Sequence, residues 1–208
     1  NGALDYFTHI RDGGFDWHKN DQENHDEGYS THLIARESVR LIRERDKAKP
    51  LFLYVPFNAV HGPFQVPDEY LKPYPGLKGN RQKYAGMLAA MDEAVGQIAA
   101  AIDEAGMRKD TLFIFSSDNG GPGPGSATMN TPLRAGKGTL YEGGIRVPWV
   151  ARWPGKLPAG SKNPTPIASV DLLPTVLEAC GLPVAGNISG QSWLKLAQGQ
   201  SQEQRPLF

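Results

Sequence analysis

The sequence predicts an α/β fold, a mostly parallel sheet flanked by helices. Residues 51–55 (LFLYV) and 111–115 (TLFIF) are short, apolar, aromatic-rich runs, the pattern of strands buried on both faces. Between them Tyr84, Met87, Leu88, Met91, Val95, Ile98 and Ile102 recur at helical spacing. Strand, long helix and strand make a βαβ unit, which joins parallel strands by a right-handed crossover. Parallel strands end on one edge of the sheet. The loops after Val55 and after Phe115 are therefore expected on one rim, where α/β proteins build ligand sites.

The other elements are read in chain order. Residues 1–29 are polar, with His9, His18 and His25 among many acids but without metal-ligand spacing, and read as a solvated loop. From Ser30 a helix is expected. Leu33, Ile34, Leu41 and Ile42 share one face, and Arg40, Arg43, Arg45 and Lys47 crowd the C-terminal end, where they suit the helix dipole. Pro50 stops it. A Pro/Gly-rich loop covers 56–79, and Gly106 ends the long helix after it. A second Gly/Pro loop spans 120–138, and a strand is expected over 145–153 despite Pro148. A short helix is expected over 171–179, with Pro174 in its first turn and Gly181 after its end. From Val184 the chain is polar and Gln-rich, with Trp193, Leu194 and Leu196 as anchors.

Composition excludes several classes. The 208 residues carry 22 basic and 22 acidic side chains, so the chain has no overall basic footprint for nucleic acid or anionic membrane. No apolar run approaches the roughly 20 residues of a membrane span. One cysteine, Cys180, excludes an internal disulfide framework and a cysteine zinc cluster. It lies on a helical pattern beside Leu177 and Ala179 and is expected to be a buried small hydrophobe. The chain starts at Asn1 with neither Met nor an apolar leader, the look of a processed or cut terminus. Asn187-Ile188-Ser189 matches a glycosylation sequon.

Two polar clusters fall on the expected rim, residues 58–63 (NAVHGP) and 116–121 (SSDNGG). Asp118 and Asn119 offer the hard oxygens that Ca²⁺ or Mg²⁺ takes, and the glycines after them let backbone bend around an ion; taken alone, DNGG is more often a turn. His61 can bind an oxyanion or donate a proton. Lys137, between Gly136 and Gly138, is either a solvated charge or a contact for an anionic ligand. A Walker A phosphate loop is excluded, because Thr131 and Gly138 stand where Gly and Ser/Thr are required.

These segments resemble the sulfatase family of the alkaline-phosphatase superfamily, from GYST at 28–31 to about Gly190. The most specific stretches are residues 49–61 (KPLFLYVPFNAVH), 84–92 (YAGMLAAMD), 113–121 (FIFSSDNGG) and 133–147 (LRAGKGTLYEGGIRV). Residues 60–74 (VHGPFQVPDEYLKPY) are most similar to the arylsulfatase B branch, the N-acetylgalactosamine-4-sulfatases. The resemblance implies an alkaline-phosphatase-like sulfatase domain in part, with residues 1–185 from its central and C-terminal portion and 186–208 the start of a C-terminal region or linker. It implies that Asp118 and Asn119 bind an active-site Ca²⁺ and that His61 and Lys137 contact the sulfate, one of them protonating the leaving oxygen. It further implies a sulfated-carbohydrate substrate and a periplasmic, secreted or lysosomal location.

The family's nucleophile motif, C/S-x-P/A-x-R, whose first residue becomes formylglycine, is not in this sequence: Cys180 is followed by Gly-Leu-Pro-Val. The formylglycine is therefore expected from a segment upstream of Asn1, and these 208 residues alone are expected neither to hydrolyse sulfate esters nor to hold calcium tightly. The rival enzyme reading is a phosphodiesterase or phosphonate monoester hydrolase of the same superfamily. The rival outside enzymes is a non-catalytic module that retains the fold.

Overall fold

Both long helices form where the periodicity places them. A computed structural model describes residues 3–123 and 125–203. In chain order its elements are β1 (Ile10–Arg11), β2 (Gly14–Phe15), β3 (His18–Lys19), β4 (Gln22–Glu23), α1 (Ser30–Glu44), α2 (Gly79–Glu104), β5 (Phe113–Ser116), α3 (Glu142–Ile145), β6 (Trp149–Arg152), α4 (Leu172–Ala179) and α5 (Leu194–Ala197). Two compact units result. One takes the chain up to Met107 together with Ser117–Pro148; the other takes Arg108–Ser116 and the chain from Trp149 onward.

In the first unit α1 packs on α2. α1 buries Leu33, Ala35, Ser38 and Ile42. α2 buries Met87, Ala90, Ala94, Ile98, Ala101 and Ile102, a stripe in which alanines alternate with longer side chains and let the helices approach closely. Each large side chain so buried contributes about 1.5–3 kcal/mol. Arg43, in the last turn of α1, pairs with Glu104 at 3.1 Å. α2 ends in a Schellman motif: Met107 N–H donates to the Ile102 carbonyl (3.0 Å) and Gly106 N–H to the Asp103 carbonyl (3.1 Å), with Gly106 at φ +73°. α4 closes the same way, Leu182 on Leu177 (2.8 Å) and Gly181 on Glu178 (3.0 Å), with Gly181 at φ +68°. Both glycines stand where sequence alone places a stop.

By length and composition alone α2 is long and apolar enough to cross a membrane, although it holds no unbroken apolar run of about 20 residues. It carries Asp92 and Glu93 at its middle and packs against α1, as a core helix does.

Several expectations need correction. Residues 51–55 belong to no ladder, and Phe52 and Tyr54 are 79% and 76% exposed. Among the described residues every ladder is an antiparallel pair: β1–β2, β3–β4 and β5–β6. β5 takes β6 as its partner, so the parallel pairing of 51–55 with 111–115 does not occur in these residues. An apolar run marks a segment that can be a buried strand, but pairing and cover must come from elsewhere in the chain, and here none reaches 51–55. The strand expected over 145–153 shrinks to β6, because α3 takes Ile145 and Pro148 has no N–H to give a ladder.

Residues 10–15 and 18–23, expected in a solvated loop, are not irregular. They form two hairpins, the first turning at Asp12-Gly13 with φ of +50° and +81°, the conformation a two-residue primed turn demands. His9 is a structural histidine: it is buried, its Nε2 lies 3.1 Å from the Gly28 carbonyl, and its ring stacks on Trp17 at 4.6 Å. Cys180 is exposed, since it is the C-cap of α4 and the buried part of that helix is its first turns, at Pro174 and Thr175.

In the second unit Trp149 of β6 meets the buried Trp193 edge to face at 6.1 Å. The Asp171 carboxylate, 3% exposed, accepts N–H bonds from Ala168 and Gln191, both 2.8 Å. The Thr175 hydroxyl donates to the Asp171 carbonyl (2.6 Å) and accepts from Trp193 N–H (3.1 Å). The anchor expected of Trp193 and Leu194 forms, and both are buried.

Candidate active site

Five glycines make the frame that carries Asp118, Asn119 and Lys137. Gly120 N–H donates to the Gly144 carbonyl (2.9 Å), Lys137 N–H to the Gly121 carbonyl (2.9 Å) and Gly143 N–H to the Arg134 carbonyl (2.8 Å). The Asn130 side-chain amide clips the crossing, donating to Gly121 O at 2.8 Å and Ala135 O at 2.9 Å. The backbones meet so closely that there is no room for a β-carbon. One placed on Gly121 would lie 2.5 Å from Thr128 Oγ1, on Gly136 2.7 Å from Asn130 Nδ2, and on Gly144 2.6 Å from Gly136 O. Gly120 and Gly143 are blocked by backbone carbonyls of Gly143 and of Ala135 and Arg134. From α2, Arg81 Nη1 donates to the Ala127 carbonyl at 2.5 Å and ties this loop to the helical core.

On this frame Asn119 Nδ2 donates to Asp118 Oδ2 (2.6 Å), and Ser117 Oγ donates to the Asn119 carbonyl (2.9 Å). That arrangement spends the amide N–H on the neighbouring carboxylate and leaves Asn119 Oδ1 and Asp118 Oδ1 as oxygen donors. Asp118 and Lys137 are exposed, and the Lys137 ammonium has no ion-pair partner among the described residues. Arg134 lies over the Tyr141 ring, 3.8 Å from its centroid, and so is committed to structure.

Ca²⁺ takes about 6–8 oxygens. Asp118 and Asn119 match it in donor type but not in number, and among the described residues no group of three or more His, Cys, Asp or Glu side chains could hold a metal. The two residues make part of a cation shell at most.

His61 stands on a second frame. Its N–H donates to the Asn58 carbonyl (2.9 Å), closing a turn over residues 58–61. The fully buried Tyr6 reaches both ends of that turn, its hydroxyl 2.7 Å from Asn58 O and 2.8 Å from His61 O. Ser30 Oγ donates to Asn58 Oδ1 at 3.2 Å. The Tyr6 ring stacks on Tyr29 (5.4 Å) in a core shared with Val66, Met87 and Ala90. Gln65 completes the clamp: its Oε1 accepts from Tyr6 N–H (2.9 Å) and its Nε2 donates to Asp5 Oδ2 (2.6 Å), while Tyr29 OH donates to its carbonyl (3.1 Å). Burial pushes the Tyr6 phenol far above its ordinary range and Tyr29 up to about 12, so both stay hydroxyl donors. Asp5 is partly desolvated, which raises its pKa, but bonds from Gln65, Thr8 and Phe7 outweigh that and hold it at about 2.

The exposed His61 ring donates Nδ1–H to the Gly62 carbonyl at 2.7 Å. Nε2 is then the nitrogen open to a ligand. The structure thus joins Asp118, Asn119 and Lys137 on the glycine frame and sets His61 on a separate support made by Tyr6, Tyr29, Gln65 and Ser30. Sequence reasoning missed the supports: Tyr6, Gln65, Asn130 and the packing role of the glycines. The doubled glycines at 120–121 and 143–144 were the available signal.

The sulfatase family model matches residues 2–182. Arylsulfatase J of Mus musculus is 40% identical over 154 residues, covering 70% of this chain and 26% of that protein. Steryl-sulfatase of Mus musculus is 33% identical over 194 residues, covering 88% of this chain and 30% of that one. Among solved structures, Ps i-CgsB in complex with k-i-k-neocarrahexaose superposes with a TM-score of 0.85 at 33% identity, covering 93% of this chain and 47% of that chain. The chain therefore spans less than a third of either curated relative and about half of the solved one.

Proposed function

This chain belongs to the sulfatase family, with the α/β, alkaline-phosphatase-like fold of its solved relatives, and from that premise we propose that the protein carrying it is a sulfuric ester hydrolase of arylsulfatase type acting on sulfated carbohydrate. The observation that carries the proposal is the glycine frame, which holds the lysine and the Asp-Asn pair of the family pattern on one rigid support. The oligosaccharide bound by a structural neighbour favours a sugar substrate. A periplasmic, secreted or lysosomal location belongs to the same reading. So does assignment of residues 1–185 to the catalytic domain and of 186–208 to the start of a C-terminal region or linker.

The residues fit the chemistry. A sulfate ester presents anionic oxygens, and as its S–O bond breaks negative charge grows on the departing oxygen. Lys137, without an ion-pair partner among the described residues and flanked by glycines, sets a full positive charge against the sulfuryl oxygens. His61 in its imidazolium form gives its Nε2 proton to the leaving oxygen, with Nδ1–H held on Gly62 throughout. Asp118 and Asn119 contribute to a Ca²⁺ shell completed from outside these residues, and the formylglycine nucleophile comes from outside them too. When bound, the calcium ion would offset sulfuryl charge.

The test uses the matured parent protein with an aryl sulfate and a phosphodiester in parallel. Sulfate-ester turnover should dominate, and Lys137→Ala and His61→Ala should each lower it about 10²–10³-fold. Preferential phosphodiester hydrolysis, or full activity in both variants, refutes the proposal. The 208-residue polypeptide assayed alone should give no turnover.

A further inference from the structure

Tyr6 lies 55 positions before His61 in the chain, yet its hydroxyl sits at the base of the turn that presents that histidine. Two parts of the side chain do different work. The ring stacks on Tyr29 and packs with Val66, Met87 and Ala90, a role phenylalanine would fill equally. The hydroxyl goes to two main-chain carbonyls, Asn58 O (2.7 Å) and His61 O (2.8 Å). Those are the first and last residues of the turn closed by His61 N–H on Asn58 O. Residues 56–67 form no helix or ladder that could fix this geometry otherwise.

We infer that the Tyr6 hydroxyl is the positioning group for His61, fixing the turn over residues 58–61 so that the imidazole Nε2 is held where the substrate's leaving oxygen will lie. The inference rests on the role proposed above for His61. A fully buried hydroxyl tolerates few arrangements, because any turn that withdrew both carbonyls would strand it without a partner. It thereby favours the turn conformation that keeps both carbonyls on it. The anchor is itself rigid: Tyr6 N–H is held by Gln65, and the Tyr6 carbonyl accepts Ser30 N–H at 2.8 Å. Its phenol stays protonated across the working pH range, so the donor is always present. Positional errors near 1 Å at a reacting group cost up to about 10²-fold in rate, so an effect of about 10-fold from one released anchor is reasonable.

The experiment is a double-mutant cycle in the matured parent protein, with Tyr6→Phe, His61→Ala and the double variant assayed on an aryl sulfate. Tyr6→Phe should lower kcat about 10-fold with KM little changed, and should have no further effect on the His61→Ala background. An equal loss on both backgrounds means a general structural role and overturns the inference, as does unchanged kcat in Tyr6→Phe. Full activity in His61→Ala removes the histidine's role and the inference with it, whereas a large loss there with an inert Tyr6→Phe removes the inference alone. If Tyr6→Phe fails to fold, Ser30→Ala, which releases the Asn58 side chain at the same turn, replaces it in the cycle. A smaller loss of kcat confined to the wild-type background supports the inference, and its absence overturns it.

Discussion

Gly143→Ala should unfold the glycine frame, while Gly96→Ala should stabilise the same protein. At Gly143 the new methyl would lie 2.5 Å from Arg134 O and 2.7 Å from Ala135 C, both main-chain atoms that cannot rotate aside. Overpacking usually costs about 1–3 kcal/mol, and the upper end applies where backbone is the obstacle. Displacement also strains the Gly143 N–H bond to Arg134 O, 2.8 Å in length, which is worth about 1 kcal/mol. The sum is about 3–4 kcal/mol, a fall of more than about 1 M in the urea midpoint for a slope of about 2–3 kcal/mol per molar. Gly96 is the counterpart: it is exposed in the middle of α2, with nothing within 4 Å of its would-be β-carbon. Replacing a helical glycine there should add about 0.5–1 kcal/mol. Urea unfolding of the parent protein and both variants, followed by circular dichroism, measures the pair. A Gly143→Ala midpoint equal to wild type refutes the close-packing argument. A parallel fall in Gly96→Ala would mean that glycine replacement, rather than the crowding at residue 143, is responsible.

Asp171→Ala should cost about 2–4 kcal/mol, because it strands the N–H groups of Ala168 and Gln191 in a buried setting, and calorimetric unfolding will register it. Asp171→Asn, which keeps one acceptor, should lose less. The depressed Asp5 pKa, about 2 against 3.8, means that the unfolded chain takes up a proton at higher pH than the folded one. Its stabilisation is present above about pH 4 and lost as pH falls toward 2; discounted for solvent screening it is about 1–2 kcal/mol. The stability gap between wild type and Asp5→Asn should therefore close on acidification. Tyr29, raised to about 12, acts with the opposite sense: stability should fall as pH rises beyond 10, and phenolate absorbance should appear together with unfolding rather than before it.

Local physics was legible in the sequence and long-range pairing was not. The spacing of Met87, Ile98 and Ile102 and the stops at Gly106 and Gly181 are properties of a few neighbouring residues, and the helices form accordingly. Even on α2, however, the buried stripe runs through Ala90, Ala94 and Ala101, whereas Leu88 is 45% exposed; hydrophobicity ranked the faces wrongly because close helix contact favours the smaller side chain. Residues 51–55 failed for a different reason. Their composition suits a buried strand, but a strand is made by its partners, and no residue within the run encodes where those partners lie. The hairpin at Asp12-Gly13 was readable from that dipeptide and was obscured by the polar residues around it.

The proposed site divides along the same line. Lys137, Asp118 and His61 were picked out by residue type and loop position, and all three are exposed and cheap to hold. Their supports are buried or half-buried, and apart from the doubled glycines at 120–121 and 143–144 nothing in the sequence marks them, because tyrosine, glutamine and asparagine carry no signature of a supporting role. Stability and activity should therefore separate by layer. Lys137→Ala removes an exposed charge with no ion-pair partner among the described residues and should shift folding by no more than about 0.5 kcal/mol while turnover collapses. Gly136→Ala, whose β-carbon would lie 2.7 Å from Asn130 Nδ2, should lose stability and turnover together, since it dislodges the lysine by breaking the frame beneath it.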